Sequence, residues 1–304
     1  MIQMKSSFLP LLVVLVIGVT ACQKNVEIDE PSSINQQQDS TFVKYAFFVA
    51  GHVYGTPGGA NLGVHPPFKT AFQYINEYEN MLFGVLTGDM VYNSTPERWD
   101  ALDDDLEMLD MPVYFAAGNH DVINPNLYQE RYGDSYYAFM QDEELFVVLN
   151  PNLDEWNISG EQLDFLINTL NLYGNEAKQV LVFFHQVLWW SSNNTYQNIV
   201  LNSTQGRADN TNFWSTVVPL FENIMAKTIM FAGDVGANPT GYKVVYCPYS
   251  EKITFVASGM GGMVNDNFIV AEVLNDGDIR LVLKGLNCAD DWQCLGSLNG
   301  FLYE

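Results

Sequence analysis

The sequence is short of cations. Its 304 residues carry 13 Lys and Arg against 36 Asp and Glu, a formal charge of −23. A grip on nucleic-acid backbone needs a basic stripe, and this chain has few residues from which to build one. Docking to anionic lipid through a polybasic face is excluded on the same ground. Cysteine is scarce, with four residues and no C-x-x-C pair, so neither a thiolate zinc knuckle nor a thioredoxin-type motif is supported. Beyond the N-terminal segment there is no apolar run long enough to span a bilayer, and no internal repeat. Histidine is rarest among the groups that do chemistry: His52, His65, His120 and His185 are all there are. What is plentiful is apolar residues, at 48%, enough for a large packed core and against whole-chain disorder.

Residues 1–21 read as an export signal: Lys5 near the start, an apolar stretch from Phe8 to Val19, and small residues before Cys22. Val19-Thr20-Ala21-Cys22 resembles the bacterial lipobox, which implies a lipid on Cys22 and an anchor in the cell envelope. Gln23 rather than Asp after it leans towards the outer membrane. Residues 22–41 then form a lipidated, polar tether, and a folded domain is expected over residues 42–285. A C-terminal extension over residues 286–304 holds Cys288 and Cys294. Export makes a disulfide between these two chemically reasonable.

From residue 42 onward short apolar runs alternate with amphipathic stretches, the pattern of an α/β protein. Strands are expected at 42–50, 80–86, 113–116, 145–149, 180–184 and 228–231. Helices are expected at 68–79, 96–109, 159–170 and 213–224, the third opening on a capping-box spacing at Ser159 to Gln162. Strands at 253–257, 267–273 and 279–283 read as a closing meander. Polar residues gather where the strands end, which is where open α/β sheets bind ligands. Five such ends stand out: Gly51-His52-Val53-Tyr54, Gly88-Asp89-Met90-Val91-Tyr92, Gly118-Asn119-His120-Asp121, His185-Gln186 and Gly233-Asp234-Val235-Gly236. Three of the four histidines fall there, beside carboxylates and an amide. Such a mixed set suits zinc, manganese or iron.

In this order the motifs resemble the calcineurin-like metallophosphoesterases, whose pattern runs D-x-H, G-D, G-N-H-[D/E], H, G-H-x-H. Gly88-Asp89, Gly118-Asn119-His120-Asp121 and His185 match. The resemblance implies a four-layer sandwich of two facing mixed β-sheets flanked by helices. It also implies a two-metal seat that hydrolyses phosphomonoesters or phosphodiesters by metal-bound hydroxide. Asp89 would bridge, Asn119 and His185 would complete one seat, His120 would assist the leaving group, and Asp121 would orient His120. Two motifs depart. His52-Val53-Tyr54 stands for D-x-H, and Asp234-Val235-Gly236 stands for H-x-H. One seat keeps Asp89, Asn119, His185 and Asp234. The other keeps Asp89 and gains His52, as ligand or phosphate contact. It loses a ligand at Gly236 and has Tyr54 or Tyr92 as substitutes; Tyr92 also fits the G-D-x-x-Y pattern of purple acid phosphatases. The expectation is one firm metal and a second that is weak, altered or absent. Two further readings stay open: a catalytically weakened lipoprotein that binds a phosphorylated glycan or a protein partner, and a single-metal hydrolase of another ester.

Overall fold

The computed structural model describes residues 42–288 and 291–303. Residues 1–41, where the export signal, the lipidated Cys22 and the tether are expected, lie outside them. Two sheets face each other. The first is built from β1 (Val43–Ala50), β2 (Met81–Thr87), β3 (Val113–Ala116), β10 (Asn267–Leu274) and β11 (Ile279–Gly285), in the order β11-β10-β1-β2-β3. The second contains β4 (Tyr137–Gln141), β5 (Glu144–Val148), β6 (Gln179–Phe183), β7 (Lys227–Ala232), β8 (Val244–Pro248) and β9 (Ile253–Ser258), in the order β4-β5-β6-β7-β9-β8. In the first sheet β1, β2 and β3 are parallel; in the second β5, β6, β7 and β9 are. Strands covered on both faces need apolar residues at nearly every position, which is why β5 and β6 are buried throughout.

Between the sheets lies a ladder of phenylalanines. Phe47 stacks on Phe83, Phe146 on Phe183, and Phe183 on Phe231, with centroids 5.2, 6.0 and 5.1 Å apart. The outer face of the first sheet is covered by α1 (Pro66–Thr70), α2 (Phe72–Asn76) and α3 (Pro96–Leu106), through Phe68, Phe72, Trp99 and Leu102. The outer face of the second carries α5 (Gly160–Tyr173) and α6 (Val218–Glu222), through Leu166, Leu170 and Phe221. The result is helix, sheet, sheet, helix. A short α4 (Pro125–Tyr132) follows the third strand-end motif. Among the described residues no helix is long and apolar enough to cross a membrane.

Several expectations are corrected. The helix expected at 68–79 is two short helices meeting at Ala71. The helix at 213–224 opens as a π turn over Phe213–Val217, because Thr216 and Val217 both donate to the Asn212 carbonyl. Ser159 does precede α5, but its hydroxyl donates to Asp154 at 2.6 Å and makes no cap hydrogen bond. The closing strands are not a meander. β9 pairs with β7 in the second sheet, and the chain then crosses at Gly259–Asp266 so that β10 joins β1 in the first. Cys288 and Cys294 are paired, with Cα atoms 5.9 Å apart.

Candidate metal centre

The carboxyl ends of β1, β2, β6 and β7 converge at one rim, where the two sheets touch. A Cβ on Gly51, after β1, would lie 2.4 Å from the Gly233 Cα after β7. Gly88 has φ +85°, and a Cβ there would press on the His185 ring at 2.5 Å. Glycine at this strand end is what lets the His185 imidazole close down beside Asp89. Asp89 and His52 themselves stand at φ 54°. That left-handed conformation is uncommon for residues other than glycine and concentrates at functional sites.

Asp89, His185 and Asp234 are all buried, and one ligand atom from each lies within 4.8 Å of the others. His185 Nδ1 lies 2.8 Å from the Thr87 carbonyl. A carbonyl only accepts, so Nδ1 carries the hydrogen and Nε2 presents its lone pair. Nε2 is 3.3 Å from Asp89 Oδ1 and 3.7 Å from Asp234 Oδ1. His185 Nε2 is buried without a hydrogen-bond partner and faces the Oδ1 atoms of Asp89 and Asp234. Unpaired buried acceptors that face one another are costly unless a cation or protons sit among them. The donor set therefore fits a divalent cation. Asn119, half-buried, lines the same cleft of about 440 Å³ together with His52, Tyr54, Tyr92 and His120.

Charge follows this geometry. Burial alone would raise Asp89, but the His185 and His52 imidazoles beside it hold its pKa well below the ordinary carboxylate value. Burial works the other way on His185, and the Asp89 carboxylate overrides it, raising the ring to about 10. Asp234 is pushed up to about 7 by burial and by the charge of Asp89, against the pull of His185. Without a cation, protons occupy the place of one.

His52 is fixed in the same manner as His185. Its Nδ1 lies 2.8 Å from the Met260 carbonyl, leaving Nε2 as an acceptor 3.6 Å from Asp89 Oδ2. Burial lowers its pKa to about 4, so it is neutral at pH 7. The Tyr54 ring packs on it at 4.3 Å, and burial with the Asp89 and Asp234 charges raises the Tyr54 phenol well above its ordinary value. Gly236 adds nothing here. It has φ +103°, and a Cβ would meet Gly259 C and Met260 N at 2.7 Å. The backbone turn that anchors His52 thus fills the space a side chain at position 236 would need.

The role expected for Asp121 is corrected. Its carboxylate turns into the core, where Oδ1 accepts from the N–H groups of Met90 (2.9 Å) and Val91 (3.2 Å) and Oδ2 from Gly118 (2.7 Å). It braces two of the ligand-bearing turns and does not touch the His120 ring. His120 is instead oriented by the Tyr92 carbonyl, 2.6 Å from its Nδ1, and by stacking on the Tyr92 ring at 5.3 Å. The His120 N–H donates to Asp89 Oδ1 at 3.1 Å. Sequence reasoning missed the three carbonyls that fix tautomers, those of Thr87, Tyr92 and Met260, because any residue type supplies a carbonyl. His65 stands apart from the cluster, 3.0 Å from Asp266 Oδ2, and Asp266 in turn accepts from Gly261, Gly262 and Met263.

Two facing sheets flanked by helices, with buried carboxylates and imidazoles gathered at the strand ends, define a metallophosphoesterase-type centre. The sequence profile of the family described as calcineurin-like phosphoesterase matches residues 52–213, more than half of the chain. The chain belongs to that family, whose members imply a divalent metal. Among solved structures it is similar to a purple acid phosphatase from yellow lupin (Lupinus luteus) seeds, with TM-score 0.56 and 16% identity over 80% of this chain. The chain spans 51% of that plant protein's length. It also matches Vps29 of Entamoeba histolytica in complex with zinc, with TM-score 0.35 and 11% identity over 80% of this chain and 99% of that one. No curated protein matches it.

Proposed function

We propose that the protein is a metal-dependent phosphoesterase, exported and held in the cell envelope by lipid on Cys22, acting on a phosphoester-containing small molecule or glycan. The observation that carries the activity is the convergence of Asp89, His185 and Asp234, with His185 Nε2 unpartnered and facing a carboxylate oxygen of each acid. Asp89, Asn119, His185 and Asp234 would hold zinc, manganese or iron. His52 would stand on the far side of Asp89, with Tyr54 or Tyr92 beside it. When bound, the cation supplies Lewis-acid polarisation of water and of the phosphoryl group. His120, its Nδ1–H fixed on the Tyr92 carbonyl, would turn Nε2 to the leaving oxygen and, as the imidazolium, donate the Nε2 proton to it. The Thr87 and Met260 carbonyls keep His185 and His52 in the tautomer that presents Nε2.

Elemental analysis of the purified chain, with hydrolysis assays on a generic phosphomonoester and a generic phosphodiester, tests the reading. Bound metal with turnover supports it; zero bound metal rejects it. The closure of the turn around Gly236 favours a second reading, in which a phosphoester is bound with little turnover. Metal uptake and binding of inorganic phosphate without hydrolysis would select that one.

Two further outcomes are expected. His120→Ala should lower kcat by about 100-fold or more while leaving metal affinity largely unchanged, because the ring hydrogen-bonds the Tyr92 carbonyl and not Asp89, His185 or Asp234. Equal losses in both quantities would contradict the role given to His120. Metal affinity should also rise with pH. With His185 at about 10 and Asp234 at about 7, uptake displaces one proton between those values and two below the lower one. The apparent Kd should tighten about tenfold per unit above neutrality and about 100-fold per unit below it. Titrations at about pH 6 and about pH 8 measure this, and a flat profile would count against bound protons in the seat.

A further inference from the structure

Asp234 stands where the family pattern has histidine. An imidazole ligand is fixed through its second ring nitrogen, whereas a carboxylate ligand has spare lone pairs that need a donor to hold them. The residue placed to supply that donor is Asn202. Its backbone N–H donates to the Asp234 carbonyl at 3.3 Å. Its Oδ1 accepts from the N–H groups of Ala237 (2.7 Å) and Asn238 (3.2 Å). Two N–H donors at Oδ1 settle which end of the amide is which, so Nδ2 must face away from that turn. Asn202 and Asp234 line the same cleft. Nδ2 and Asp234 Oδ2 are both buried without a hydrogen-bond partner. One is a donor and the other an acceptor.

We infer that Asn202 is a positioning residue for the metal seat: its Nδ2–H donates to the Asp234 carboxylate, aiming the other oxygen at the cation, while its Oδ1 ties that wall to the Ala237–Asn238 turn. The inference rests on the metal-centre reading above. Zn²⁺ affinity of the whole chain, measured by chelator competition, separates the two. Asn202→Ala should weaken Zn²⁺ binding about 10- to 100-fold. In an Asp234→Asn background the same change should cost less than about threefold, since the carboxylate it serves is gone. A loss below about threefold in the unaltered background, or an equal loss in both, overturns the inference. Should Asp234→Asn alone abolish uptake, the metal-free melting temperature decides. An unchanged value in Asn202→Ala sustains the positioning role; a fall of about 5 °C or more assigns the loss to the turn and overturns it. A parent chain that takes up no Zn²⁺ rejects the metal-centre reading itself.

Discussion

Asp89→Asn will abolish metal-dependent hydrolysis and weaken metal binding by at least about 100-fold, with the fold intact. The choice of asparagine matters. Asp89 stands at φ 54°, a conformation that asparagine tolerates far better than alanine. The amide oxygen can still accept from the His120 N–H, now 3.1 Å from Oδ1. The charge is what is lost, and the charge is what the cluster is arranged around. Asp89 faces His185 through Oδ1 and His52 through Oδ2. Among the described residues Asp89 is the carboxylate within reach of both imidazoles. Disturbing a group that merely supports a metal ligand costs about 10- to 100-fold in affinity, so removing the shared anionic ligand costs more. Isothermal titration with Zn²⁺ and a phosphoester assay on the same sample give the result. Retained turnover in the variant would place the reaction elsewhere.

In the metal-free protein the same substitution has a separate signature. His185 is raised to about 10 chiefly because the Asp89 carboxylate overrides its burial. With asparagine at position 89 the ring loses that partner, and its pKa should fall. Its stabilising contribution, present below the unfolded histidine value and lost as pH rises through about 10 in the parent, should shrink over that window. Melting curves at neutral and alkaline pH would show the two chains drawing together as pH rises.

The sequence exposes the centre unevenly, for physical reasons. Side chains that ligate must be of a few chemical types, so Gly88-Asp89, Gly118-Asn119-His120 and His185 are visible at the ends of apolar runs. Groups that hold those ligands in place are mostly main chain, and carry no residue signature. Asp121 shows the converse hazard. It sits in the most specific motif, next to a catalytic candidate, yet its carboxylate serves three backbone N–H groups. The same logic applies to the fold. The strands read from sequence in the second sheet, β5, β6, β7 and β9, are its interior ones. β4 and β8, the two unread strands, are its edges. An edge strand packs on fewer sides: β4 is a short run from Tyr137 to Met140 with none of its residues fully buried. The exchange of sheets after β9 was invisible because three successive apolar strands at the C-terminus look alike whichever sheet they join.

Restoring histidine at position 236 will damage the protein rather than rebuild a second metal seat. If the departure from the family pattern were a simple erosion, Gly236→His would raise metal content towards two per chain. The geometry argues otherwise. Position 236 has φ +103°, and a Cβ there would lie 2.7 Å from both Gly259 C and Met260 N. Those are backbone atoms, and they cannot step aside as the end of a side chain can. The left-handed strain costs about 1–2 kcal/mol and the overpacking about 1–3 kcal/mol. For a domain of this size the sum corresponds to a fall in Tm of roughly 4–20 °C. The effect does not stop at position 236. The turn that must move carries the Met260 carbonyl that fixes the His52 tautomer at 2.8 Å, so the substitution should also loosen the remaining imidazole on that side of Asp89. The expected result is a lower melting temperature with no gain in metal stoichiometry by elemental analysis. Two tightly held metals in a variant of unchanged stability would show that the turn is adaptable and that the second seat is merely short of one ligand. In the geometry observed, the Gly259–Met260 backbone both fills the space at position 236 and holds His52, so a change at one disturbs the other.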